Sequence, residues 1–272
     1  MGQVWSRLAG RLAGGLAVLG LAVLAGCGEA PPHRASGSAV ASVVTPSFGD
    51  ARPVNWPGRA PSAYPVHGID VSKYQGSIDW ATARAHGVNF AFIKATEGGD
   101  RLDSRFHEHW RGAREAGVAR GAYHFYYFCT PAEAQARWFI ANVPKERGML
   151  PPVIDLEWNP QSPTCTYRPP AEAVRSEALT FMNILERHYG QRPVIYTDPG
   201  FFERNQLMRL AGEEVWLRAT AAHPTDRYGV AGWTFWQYSA TGLVPGIAGE
   251  VDLNAFGGSR GDWAAWVRER AL

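Results

Sequence analysis

From His67 to Thr197 the chain alternates five strand-like with four helix-like segments, and after that the strands continue without long helices. This rhythm constrains the fold more than any other feature. Strands are read at His67–Ser72, Asn89–Thr96 (NFAFIKAT), Gly121–Phe128 (GAYHFYYF), Pro152–Trp158 and Pro193–Thr197. Between them lie helical patterns at Ile78–His86, Ser104–Ala116 with its cap at Ser104, Pro131–Asn142 with Thr130 as N-cap and Pro131 in the first turn, and Pro170–His188. A β-α-β-α run of this kind predicts a parallel sheet with helices outside it. The last third holds strand signals at Glu214–Ala219, Gly232–Ser239 and Glu250–Leu253, with turn-like Thr241-Gly242 and Pro245-Gly246 between them. The expected α/β fold is therefore a barrel of about eight strands whose late part has lost its helices. A doubly wound open sheet is the alternative, and no Gly-rich phosphate loop follows the first strand to support it.

The first 26 residues read as an export signal. Arg7 and Arg11 form a positive start, and Leu12 to Leu24 is apolar apart from its glycines, shorter than the ~20 residues that span a bilayer. Leu24-Ala25-Gly26-Cys27 resembles a bacterial lipobox, so Cys27 is expected to carry lipid and hold the mature chain to a membrane. From residue 27 to 65 the sequence is rich in Pro, Ala, Ser and Gly and reads as a flexible tether with a reach of roughly 30–40 Å. Residues 66–272 would form the folded domain. Export places Cys129 and Cys165 in an oxidising compartment, and this even pair is expected to form a disulfide.

The formal charge of +2 falls to zero when Arg7 and Arg11 leave with the signal. With no basic run, nucleic acid is not an expected partner. His107 and His109, two apart on a predicted helix, turn to different sides, and no His-Glu-x-x-His or paired Cys-x-x-Cys motif is present, so neither a metal nor a cofactor is expected. A monomer is the default.

The sharpest chemical signal is Val153-Ile154-Asp155-Leu156-Glu157-Trp158. On a strand, Asp155 and Glu157 point the same way, about 7 Å apart. Two acids on one face of an apolar strand are costly unless paired, hydrated or used. Barrel enzymes place catalytic groups at such strand ends. Close carboxyls push one pKa upward, which leaves one as acid and the other ionised, as glycosidic cleavage requires. A solvated strand end with two ordinary surface acids is the competing reading. Asp70 near the end of the first strand and Asp252 in the last would become neighbours if the barrel closes; taken singly, each reads better as a structural acid.

The motif His67-Gly68-Ile69-Asp70-Val71-Ser72-Lys73-Tyr74-Gln75-Gly76 resembles the opening of family-25 glycoside hydrolases, the Chalaropsis-type lysozymes. Ile93-Lys94-Ala95-Thr96-Glu97-Gly98, Gly121-Ala122-Tyr123-His124-Phe125, Asp155-Leu156-Glu157, Val194-Ile195-Tyr196-Thr197, Trp236-Gln237-Tyr238-Ser239 and Val251-Asp252 follow in the family's order. The resemblance spans roughly residues 66–256. It implies a barrel of five β/α units followed by three strands without helices, and an N-acetylmuramidase acting on the β-1,4 bond after N-acetylmuramic acid in peptidoglycan. It implies Glu157 as general acid, with Asp155 and Asp252 stabilising the transition state or orienting the substrate acetamido group, and Asp70 lining the same mouth. Whether the nucleophile is that acetamido group or a carboxylate stays open. Tyr123, Phe125, Tyr196, Trp216 and Gln237 match groove positions; core packing is an equal alternative for Phe125, and Trp216-Leu217-Arg218-Ala219 departs from the family's aromatic-rich version of that strand. The insertion after Trp158, which contains Cys165, looks particular to a subgroup. An inactive peptidoglycan binder and a hydrolase of a related polymer such as chitin are the alternative functions. The implied location is the cell envelope, as an exported lipoprotein.

Overall fold

A computed structural model describes residues 42–272. The expected signal, the lipobox and Cys27 lie outside the described residues. Eight strands close into a barrel: β1 (His67–Val71), β2 (Phe90–Glu97), β3 (Ala119–Phe125), β4 (Val153–Leu156), β5 (Val194–Thr197), β6 (Val215–Arg218), β7 (Phe235–Leu243) and β8 (Val251–Phe256). Neighbours pair in parallel from β1 through β7, and β8 closes the ring antiparallel to both β7 and β1. The helices α1 (Trp80–Ala85), α2 (Phe106–Glu115), α3 (Ala132–Asn142) and α4 (Ala171–Tyr189) follow the first four strands, and the shorter α5 (Pro199–Asn205) follows β5. The five β/α units are therefore present. A one-turn helix, α6 (Pro224–Tyr228), lies between β6 and β7, where none was expected. Nor did the sequence reading include α7 (Arg260–Arg270), which is capped by Ser259 and Asp262 in a reciprocal capping box.

Strand alternation sorts each strand into two faces. In β4, Ile154 and Leu156 join the core under the helices, whereas Val153 faces the barrel interior. Likewise Phe90 and Phe92 of β2, Val194 of β5, Phe235 of β7 and Phe256 of β8 fill the lower interior. Trp263 of α7 closes this floor, packed tilted on Phe90 and edge-on to Phe256 at ring distances of 5.4 and 5.3 Å. Gly68 makes room for the floor: a Cβ there would lie 2.3 Å from the carbonyl oxygen of Phe90, its partner across β1–β2.

Two expected helix caps are replaced. Helix α2 starts one residue after Arg105, whose backbone N–H is held by Asp103 Oδ1 at 2.9 Å, so Ser104 does not cap it. Pro131 rather than Thr130 occupies the N-cap of α3, and the free N–H of Ala132 donates to Glu177 Oε2 of α4 at 2.9 Å.

The tether expected to run to residue 65 is corrected over its described part. Residues 42–65 are packed against the barrel. Asn89 holds the backbone of Val44 from both sides, through 2.8 and 2.9 Å bonds. Gly49–Asp50 pairs with the end of β7, and Asp50 accepts a 2.7 Å bond from Thr241. Trp56 packs edge-on to Trp236 at 5.1 Å, and buried Tyr64 offers its carbonyl to His67 Nε2–H at 2.8 Å. Irregular backbone with frequent prolines shows no periodicity, yet aromatic anchors fix it. Trp56→Ala is expected to cost roughly 1–2 kcal/mol and to open residues 42–65 to limited proteolysis ahead of global melting. Simultaneous loss of this segment and the barrel would contradict that.

Candidate active site

One pleat above the apolar floor, the inward positions turn polar. Asp70 and Asp252 face each other as paired residues across β1–β8. Asp155 pairs with Phe125 on one side and Tyr196 on the other, and Lys94 pairs with Tyr123. Together with Glu157, just past the end of β4, these side chains line a cleft of about 380 Å³. All four expected acids and all five expected groove residues border it.

Several of them are not free to meet a ligand as expected. The indole N–H of Trp216, a residue only 2% exposed, donates to Asn254 Oδ1 at 2.8 Å, and its ring stacks on Phe92 at 4.7 Å. Trp216 is thus the ceiling of the floor layer more than a sugar platform. Gln237 accepts from Tyr196 Oη–H at 2.9 Å and donates to Asp70 Oδ2 at 3.0 Å, so both ends of its amide are engaged. Asn254 Nδ2 reaches the same Asp70 oxygen at 2.8 Å. These amides hold Asp70 in place beside Asp252.

Sequence reasoning missed Lys94, Arg218 and Asn254. Lys94 lies two residues beyond Phe92, and Arg218 two beyond Trp216, so strand parity alone puts both inside. Lys94 Nζ binds Glu97 at 2.7 Å and sits 4.9 Å from the ring centre of Phe125. Arg218 is a cation among the cleft's acids.

The electrostatics follow from burying acids together. Burial, then the adjacent Asp198, raises Glu157 to about 7, against the pull of Arg218. Asp252 rises to about 8 through burial and the neighbouring Asp70, and Asp70 rises to about 6 through burial although Asn254 and Gln237 favour its charge. Asp155 is raised by burial and by Glu157; it is 5% exposed, and its Oδ1 has no hydrogen-bond partner among the described residues.

Raised carboxyls bind protons in the folded state that the unfolded chain has lost. Their contribution to stability is full below the unfolded value near 4 and is lost as pH climbs through the folded values. Buried His67 and His124 are shifted down and act oppositely below about pH 6.5. The carboxyl effect is therefore cleanest above that pH. Melting temperature is expected to fall between pH 6.5 and 8.5, and Asp252→Asn to flatten that fall. An Asp252→Asn melting curve parallel to wild type would contradict the burial argument.

Beside the cleft, Cys129 and Cys165 are joined in a disulfide with Cα atoms 5.7 Å apart. It pins the segment after Trp158 to the loop after β3.

Residues 69–247 match the family described as Glycosyl hydrolases family 25. The chain belongs to this family. It is accordingly a glycoside hydrolase. The chain is 38% identical over 206 residues to Lysozyme M1 of Streptomyces globisporus, a match that covers 71% of this chain and 68% of that protein. It is 36% identical over 214 residues to the uncharacterized protein YegX of Escherichia coli K12, covering 77% and 76% of the two chains. The structure of a family 25 glycosyl hydrolase from Bacillus anthracis superposes with a TM-score of 0.69 at 33% identity, over 76% of this chain and 95% of that one. The barrel described above agrees with the fold of these relatives.

Proposed function

We propose that this family-25 enzyme is an N-acetylmuramidase that cleaves the β-1,4 bond after N-acetylmuramic acid in peptidoglycan. The observation that carries the mechanism is Glu157 at the rim of the cleft. Its proton is held up to about pH 7 by burial and Asp198, beside a buried Asp155 with an unoccupied oxygen. Glu157 protonates the leaving glycosidic oxygen. As positive charge spreads over the ring carbon and oxygen, Asp155, its anion favoured by the nearby Lys94, supplies the opposing charge. Its free Oδ1 either accepts the N–H of the 2-acetamido group, which orients that carbonyl for attack, or itself attacks the anomeric carbon. Asp70 and Asp252 share a proton at the opposite wall, so the pair carries one negative charge where two free carboxylates would carry two.

The lysozyme names among the relatives support peptidoglycan as substrate, and a wall polymer fits an envelope location. An export signal and a lipid anchor at Cys27 would place the enzyme there. No helix among the described residues is long and apolar enough to cross a membrane.

The test is digestion of purified peptidoglycan followed by identification of the new reducing ends. Muramic acid ends are expected. Glucosamine ends would overturn the bond assignment, and no release would favour a binding protein. Release from chitin at a comparable rate would point to the broader glycanase.

A further inference from the structure

Past Glu157 the cleft wall continues into a second cavity of about 230 Å³, which Glu157 also borders. Its walls are the loop after β3 (Tyr126 to Phe128) and the segment from Trp158 to Arg168. That segment is fixed at several points. The disulfide holds its middle, Asn159 Nδ2 donates to Tyr127 Oη at 2.8 Å, and Ser162 Oγ accepts from the N–H of Cys165 at 3.0 Å. Trp158 is clasped between Phe128 and Phe201, with ring centres 5.4 and 4.6 Å away. Over the ring of Trp158, at 5.1 Å, lies the guanidinium of Arg168. Arg168 forms no ion pair among the described residues. Next to it, Tyr167 is 60% exposed. Apart from Glu157, no acid among the described residues lines this cavity.

A guanidinium stacked on an indole keeps its N–H fork oriented and leaves its donors open, which suits a planar carboxylate. An exposed tyrosine beside it offers a flat face to an apolar stem or a sugar ring. We infer that the disulfide-pinned wall from Trp158 to Arg168 is a binding site for a carboxylate-bearing side arm of the glycan, with Arg168 as its anchor and Tyr167 as its flat contact. The inference rests on the muramidase reading and refines it: the enzyme selects a glycan decorated with acids over a neutral β-1,4 polymer. Arg168 does not touch the reacting atoms. It is a specificity residue, and the disulfide keeps it in reach of the cleft.

The experiment compares purified peptidoglycan with the same material after its carboxyls have been converted to neutral amides. Wild-type enzyme is expected to show a KM about 10-fold higher on the amidated polymer, as the loss of a hydrogen bond to a charged group requires, with kcat little changed. Arg168→Gln is expected to show the raised KM on both preparations, and Arg168→Lys to recover part of the difference. Equal melting temperatures show that the variants fold alike. Equal KM values for wild type on the two polymers, with muramic acid ends still released, would overturn the side-arm site and leave the muramidase reading standing. Release of no such ends from either would remove both.

Discussion

Glu157→Gln is expected to lower kcat on purified peptidoglycan by roughly 10³-fold, within the range that general acid catalysis contributes, while KM stays near its wild-type value. The amide matches the carboxyl in size, so the cleft walls, the floor beneath and the disulfide beside it remain as they are. What is lost is the proton that Glu157 holds up to about pH 7. The wild-type rate is therefore expected to decline as pH rises through that value, because the acid form is the active one, and the residual rate of Glu157→Gln to lack this limb. A variant retaining near-normal turnover would overturn the assignment of the acid.

Asp155→Asn is expected to cost 10²–10³-fold in kcat, the usual loss when one preorganised group facing developing charge is removed. Asp155 has no partner on Oδ1 and is packed between Phe125 and Tyr196 on the neighbouring strands. The same position also separates the two mechanisms. Direct attack by Asp155 leaves a sugar covalently bound to the enzyme during turnover, detectable as an intact-mass increase in rapidly quenched wild-type reactions. Attack by the acetamido group leaves no such adduct. Full activity of Asp155→Asn would exclude both roles.

How much of this was legible in the sequence depends on what each feature rests upon. The barrel was readable because parallel strands buried on both faces and amphipathic helices leave local, periodic marks, as in Val153-Ile154-Asp155-Leu156. The convergence of Asp70 with Asp252 followed from closure, and their direct pairing bears out the neighbourhood expected of first and last strands. Lys94 and Arg218 were equally accessible through strand parity, but a lone cation on a strand attracts less notice than two acids. Asn254 was not legible: its role comes from the 2.8 Å bonds it makes to Trp216 and Asp70, both far away in sequence. The packing of residues 42–65 was hidden by composition. Pro, Ser and Gly read as a linker, and only the aromatic residues Phe48, Trp56 and Tyr64 signalled attachment. Helix α7 left a clear mark in the Ser259 to Asp262 spacing, but its position under the barrel depends on Trp263 fitting a floor that other strands build.

That floor has a consequence for how a polymer is handled. With Trp263 sealing one end, the barrel is a blind well, and a glycan strand has no rear exit through which to thread. On the muramidase reading, a strand laid sideways across the rim keeps both of its ends outside the enzyme. Cleavage of a strand held in that way would need no free terminus, so cuts would fall in the interior of long strands.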